Sequence, residues 1–438
     1  MLKFRNFQFH TLLALTLLLL MTAAVSGCAL PDKKTAQAED GGKVTIDFWT
    51  FWGSETRKPI IEKIIKDFND SQDRIVVKHT YLPWGDIWTK NLASIASKNP
   101  ADVIVNDINT VALRAEKKQV TDLTPYLAKD RIQDRFYSNL WKTGEYNGKV
   151  YSLPFVTDTR LLFYNKKAFQ EAGLDPNKPP QTWDELEQYA MKLDKKNGGT
   201  YDRIGFYPLW GGFGWDNFMM NADGGTGFFD TQGNIAVNTP AKTETLDWIN
   251  KWTKRYGQGT IDNFKAEFGK QQADPFIAGK VAMIIDTATF NTQLRDYGKG
   301  MEYGVAPIPE RTPGSGHYSS GGGFVVEIPY GAKHPDEAWE FLKFLTDKAP
   351  QTYWAEKNFD IAANKAANEA PQLSKDPVFK AAVDNMQVTQ MFPTPVQAPD
   401  FKKLIDPQVD AALLGRQSSK DALSKADQAV RNLMEHNK

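Results

Sequence analysis

The stretch VTIDFW, Val44–Trp49, running into TFWGSE at 50–55, decides how the chain is read. Its apolar residues alternate as in a strand, and a polar, Gly-containing loop follows. Beyond the loop Ile60, Ile61, Ile64, Ile65 and Phe68 fall on one face at helical spacing, with Ser54 placed to cap that helix. NDSQD (69–73) turns the chain into a second strand, RIVVKHTYL (74–82). WGDIWTKNLASIASK (84–98) reads as a helix, and DVIVND, Asp102–Asp107, as a third short strand. Strands alternating with helices predict an α/β fold whose largely parallel sheet is covered on both faces. Ligands of such sheets collect in a crevice outside the carboxyl ends of the strands. Trp49, Trp52, Asn106 and Asp107 lie at such ends.

Ahead of the folded part, Lys3 and Arg5 precede an apolar run, LLALTLLLLM (Leu12–Met21). Its length suits a secretory signal and falls short of a membrane span of about twenty residues. Small residues then lead to Cys28, the one cysteine of 438 residues, and Val25-Ser26-Gly27-Cys28 resembles the lipobox of a bacterial lipoprotein precursor. That resemblance implies cleavage after residue 27 and a diacylglyceryl group on Cys28, supplying the two acyl chains that stable anchoring needs. The plainer alternative is an ordinary signal peptide with a chance cysteine. Residues 28–42 are small and polar without periodicity, a tether, and the fold should begin near Lys43.

Removing residues 1–27 takes two of the 53 basic residues and none of the 53 acidic ones, leaving a formal charge of −2. Nothing in that balance favours nucleic acid or anionic lipid as a partner. With 41% hydrophobic residues the chain can bury a large core, and its length exceeds that at which single cores usually divide, so two lobes are expected. The 12 Trp, 15 Tyr and 26 Phe are mostly core material, but Trp in loops needs another reason.

The middle of the chain is the most diagnostic. It runs YNGKVYSLPFVTDTRLLFYNKKAF from Tyr146, with PFIAGKVAMIID (Pro275–Asp286), YGVAPIPE and GGGFVVEIPYGAKHPDEAWEFLKFLT later. Together with PADVIVND, in this order and spacing, the stretches resemble the extracellular solute-binding proteins of carbohydrate ABC importers, the family that includes maltose-binding proteins. The resemblance covers Lys43 to about Thr346 and is specific as a set; at the C-terminal end NFDIAANKAAN departs from the family's usual turn. It implies two discontinuous lobes, residues 43–157 with 315–365 and residues 158–310 with 370–438, joined by a hinge. The crossings would lie at Pro154–Arg160, within Ala306–Gly316 and near Asn364–Pro371. Hinge closure around ligand is the motion this architecture allows.

A sugar presents hydroxyls at its rim and flat C–H faces, so its site wants planar hydrogen-bonding groups and aromatic platforms. Trp52 and Glu55 follow the first strand, Asn106 and Asp107 end the third, and Asp286 ends MIID. In YPLWGGFGWDN (207–217) glycines space Trp210, Phe213 and Trp215. Asp158 stands where the family has a ligand-binding carboxylate, and Gly322 of the Gly-rich stretch completes the ligand-binding set. Each has a structural alternative. Trp49 and Phe213 read as core, Asp158 could pair with Arg160 at the crossing, and Asp286 could cap a helix from Thr287. Trp354 is a weaker candidate for the cleft.

No HExxH, Walker loop or GxSxG occurs, and the histidines, read as surface residues, lack metal-ligand spacing. DFNDSQD (67–73) begins like a calcium loop but has Gln72 and Lys78 where Gly and Glu are required. Together with these absences, the resemblance implies a monomeric, non-enzymatic binding protein without cofactor or metal. It would be lipid-anchored on the extracytoplasmic face of a bacterial cell membrane and deliver a saccharide, preferably an oligosaccharide, to separate ABC permease chains. The alternatives are the same fold binding a polyol or glycerol phosphate, and a surface-anchored glycoside hydrolase, whose two carboxyls would stand roughly 5–10 Å apart.

Overall fold

The structure, a computed structural model, describes residues 42–269 and 271–437. The expected leader, Cys28 and all of the tether but Gly42 lie outside the described residues. Among those described, no helix is long and apolar enough to cross a membrane.

The opening stretch forms the strand Val44–Thr50, parallel to Ile75–Tyr81 on one side and to Val103–Asp107 on the other. Antiparallel Gly323–Glu327 adds to Val103–Asp107, Leu153–Thr157 follows, and Ile361–Ala362 closes the far edge of a six-stranded sheet. Val103, Ile104 and Val105 are fully buried, as an unbroken apolar run in a central strand requires. The helix Arg57–Ser71 turns its isoleucine face and Phe68 inward. Phe341 of the helix Pro335–Leu345 meets both Phe48 and Phe68, centroids 5.2 and 5.1 Å apart. Ser54 does the capping expected of it: its hydroxyl accepts from the Arg57 N–H at 3.1 Å.

A second sheet has Arg160–Asn165 at its centre, antiparallel to Met283–Thr287 and to Tyr303–Ala306. Thr182 caps the helix Trp183–Leu193 through the Glu185 N–H, and Ser418 caps Ser419–His436 through the Asp421 N–H. Leu423, Ala426 and Val430 of that last helix pack with Leu246 and Val409.

The chain passes from the first sheet to the second on two residues, Asp158 and Thr159. It returns after Tyr303–Ala306 through Ser319–Ser320, which pairs parallel with Thr389–Gln390. The third passage corrects the sequence reading. The side-chain amide of Asn364 donates a hydrogen bond to the carbonyl of Thr346, just past the helix Pro335–Leu345, at 2.9 Å, and Asn368 bonds both backbone groups of Ala362 on the first sheet. The chain therefore stays beyond Pro371. The helix Pro377–Asn385 makes the passage, touching Ile361–Ala362 of one sheet and Tyr303–Ala306 of the other.

All three passages meet at Thr159. Its buried hydroxyl lies 2.6 Å from Thr389 Oγ1 and 3.2 Å from Ser319 Oγ, and it accepts from Asn385 Nδ2 at 2.8 Å. Thr159→Val removes the centre of this cluster while keeping its volume. We expect a loss of about 1–3 kcal/mol in urea unfolding, with the far-ultraviolet spectrum unchanged.

Candidate ligand-binding site

Leu153–Thr157 runs the same way as the three parallel strands, and the two antiparallel strands begin where these four end. One edge of the sheet therefore gathers, in spatial order, Asp360, Asp158, Gly322 to Phe324, Asp107, Phe51 to Gly53, and Tyr81 with Trp84. Beyond the crossing, the facing edge of the second sheet carries Arg160 and, on the neighbouring strand, Asp286 and Thr287. Strand order anticipates a ligand crevice outside these strand ends.

Asp158 is its anchor. One carboxylate oxygen accepts from Arg160 Nη1 and from the Gly322 N–H, both at 2.7 Å. Arg160 also donates to the carbonyls of Ser320 and Gly212, at 3.0 and 3.4 Å. The pairing considered from sequence is thus present; both bonds fall on one oxygen of Asp158, whose side chain is 26% exposed. Gly322 contributes through its backbone, since its carbonyl also accepts from Thr157 Oγ1 at 2.8 Å.

Asp286 is pushed up to about 6, mainly by burial and further by the charge of Asp274, against the opposing Thr287 N–H and Arg160. Its oxygen takes the Thr287 N–H at 2.7 Å, the local capping role, although the helix itself begins later, at Phe290. Gly212 lies so close that a Cβ there would sit 2.6 Å from Asp286 Oδ1, so only glycine lets the aromatic loop lie on this carboxyl. Asp107 accepts from the Asn109 N–H at 2.8 Å, capping the turn Ile108–Thr110. Burial raises its pKa, and the negative charge of Asp158 adds to the shift. Asp360, which the sequence reading passed over, is likewise raised by burial, opposed by Arg57 and by a 2.9 Å bond from Trp354 Nε1.

Three of the expected ligand residues lie buried against other side chains. Trp52 is 1% exposed, with its ring 4.3 Å from Trp354 and 5.2 Å from Phe155, because the loop after Thr50 folds back onto the core. Trp354 is therefore core as well. Trp210 is 5% exposed, nearly parallel to Phe264 and edge-on to Phe268, so it offers no open face. Asn106 is buried and donates to Glu327, which is ion-paired with the buried Arg114. Glu55 is exposed, and Trp215 is half-buried beside Phe228. His79 is partly buried rather than superficial, its side chain 7% exposed and Nε2 2.7 Å from Thr50 Oγ1. Among the described residues no group of His, Cys, Asp and Glu is placed to hold a metal.

The aromatic surface of the crevice comes from residues the sequence reading did not select. Phe51 meets Phe324 and Trp84, each with centroids 4.7 Å apart, and Trp84 meets Trp88 at the same distance. Phe51 directly follows the first strand and Trp84 stands three residues beyond the second, and that position was the available signal.

Asp286 gives a pH prediction. Its folded pKa lies above the ordinary aspartate value of about 3.9, so the folded state holds more protons between the two values. The associated stability is complete below about pH 4 and lost as pH rises through 6. Asp286→Asn is therefore expected to stabilise the protein at pH 7 by up to about 3 kcal/mol, the gain vanishing near pH 4, as measured by urea unfolding.

Comparison with known proteins gives a consistent picture. Residues 52–352 match the profile of the bacterial extracellular solute-binding protein family. The arabinooligosaccharide-binding protein of Bacillus subtilis is 24% identical over 366 residues, covering 80% of this chain and 79% of its own. An sn-glycerol-3-phosphate-binding periplasmic protein of Brucella melitensis is 26% identical over 420 residues, covering 86% and 90%. Among solved structures, CpMnBP1 with mannotriose bound superposes with a TM-score of 0.75 at 29% identity, covering 89% of this chain and all of that one. A cyclic maltosyl-maltose-binding protein of Arthrobacter globiformis gives 0.74 at 23% identity, a likeness of fold. With the two-lobed α/β architecture in place and well over half its length matched, the chain belongs to the bacterial extracellular solute-binding protein family.

Proposed function

We propose that the protein is the saccharide-binding subunit of an ABC importer, capturing a neutral sugar between the two sheet edges and handing it to separate permease chains. The observation that carries this reading is the make-up of the crevice. Asp158 and Asp107 share one sheet edge with the rings of Phe51 and Phe324, the pairing of hydroxyl acceptors with flat apolar faces that a sugar requires. Binding without turnover accounts for these groups, and the family match supports it.

Glycerol phosphate, which the Brucella relative's name specifies, asks for something else. A phosphate wants unengaged cations in fork geometry. The guanidinium groups near this edge already face carboxylates: Arg160 at 2.7 Å from Asp158, Arg57 at 3.8 Å from Asp360, and Arg114, behind Asp107, paired with Glu327. The relative that binds arabino-oligosaccharides and the neighbour holding mannotriose fit the crevice better.

A ligand touching Asp158 and the edge of the second sheet favours the arrangement in which the edges are close, by its extra affinity for that state. The transporter can then distinguish loaded from empty protein. The chain works as a monomer tethered through lipidated Cys28, outside the cytoplasm. Mass spectrometry of the membrane-extracted protein is expected to find an N-terminal, diacylglyceryl-modified Cys28; an unmodified N-terminus elsewhere would remove the anchor from this account.

Thermal unfolding of the mature protein with neutral oligosaccharides, polyols and glycerol 3-phosphate tests the function. Sugar at a hundred times its dissociation constant should add about 2.7 kcal/mol and be recovered unchanged. Asp158→Asn should weaken that sugar by at least about 1 kcal/mol. Stabilisation by glycerol 3-phosphate alone, or hydrolysis of the sugar, would displace this reading.

A further inference from the structure

The crevice is not uniform along its length, and the difference bears on the size of the ligand. Asp158 ends Leu153–Thr157, whereas Tyr81 ends the outermost strand at the opposite side, with Trp84 three residues beyond. From one to the other the strand order has four steps, so at about 4.8 Å per step the two ends lie roughly 19 Å apart. A pyranose ring is about as broad as one such step. A single sugar held by Asp158 cannot reach Trp84, whereas a chain of several laid along the edge can.

Trp84 and Tyr81 are 59% and 48% exposed. Neither is loose. Phe51 and Trp88 stand at 84° and 76° to Trp84, bracing the indole, and the ring of Tyr81 lies against Gly53, where a Cβ would come within 2.3 Å of it. Large rings braced from behind and open in front are a platform, and they continue the row of groups assigned above to the sugar.

Resting on that saccharide reading, we propose that Trp84, with Tyr81 beside it, forms an outlying aromatic subsite that selects oligosaccharides of three or more units over shorter sugars. The chain end nearest Asp158 fixes the ligand's hydroxyls, and the far rings stack on the unit that only a longer ligand possesses.

Titration calorimetry on the mature protein tests this, with manno-oligosaccharides and arabino-oligosaccharides of one to five units as probes. In the unaltered protein, affinity in the series that binds should climb with length and level off by the fourth unit. Trp84→Ala should lower affinity for the longer members about tenfold and leave the one- and two-unit sugars unchanged, while Trp84→Phe should keep most of the length preference. Asp158→Asn should weaken every length alike. A Trp84→Ala loss that is equal at all lengths, or absent at all lengths, would overturn the subsite and leave the saccharide reading standing. No binding by any member to the unaltered protein would overturn both.

Discussion

One carboxylate oxygen of Asp158 organises the molecule's centre. It accepts from the guanidinium of Arg160 and the amide of Gly322, so the first and second passages between the sheets are tied at one atom. A bond from a charged donor is roughly twice as strong as a neutral one, and a two-residue crossing has little slack. Behind it, the buried hydroxyl of Thr159 bonds residues of the second and third passages. The two edges that face the crevice are therefore positioned by consecutive residues. The same short segment joins the sheets, orients Arg160 and presents an acceptor to the crevice.

That arrangement sets the chemistry of the crevice. With Arg160 bound by Asp158 and by two carbonyls, the positive charge nearest the centre is neutralised, and the remaining carboxylates make the local field unfavourable to an anion. Burial raises the pKa of Asp286 and Asp107, and both offer carboxyl oxygens as hydrogen-bond partners for hydroxyls. The aromatic end contributes area without charge. Polarity thus changes along the row, from carboxylates at the Asp158 end to rings at the outer strand.

Much of the fold was legible because its strands and helices carry clean periodicities. The isoleucine face of Arg57–Ser71 and the apolar run of Val103–Val105 announce their burial directly. Asp158 and Asp286 were singled out as well, Asp158 through the family resemblance, and the structure places both beside the crossing. The misses have a common cause: position along the chain does not fix the direction in which a side chain turns. Trp52 follows the first strand but swings back onto Trp354, while its neighbour Phe51 turns to the crevice. Asn106 stands one residue before Asp107 and so points to the opposite face, toward Glu327. Trp84 was absorbed into the helix read from 84–98, yet Gly85 takes φ 85° and the helix starts at Asp86, leaving the indole in the preceding loop. The third passage was placed too early because the side-chain bonds of Asn364 and Asn368 leave no trace in local composition.

The most direct test of the account is a crystal structure of the mature protein with a saturating neutral oligosaccharide. The expected result is a sugar lying along the edge of the first sheet, with hydroxyls bonded to Asp158, rings against Phe51 or Trp84, and a contact to the Asp286 side of the crevice. A ligand bound away from this edge, or a phosphorylated solute held by an Arg160 that has released Asp158, would contradict it.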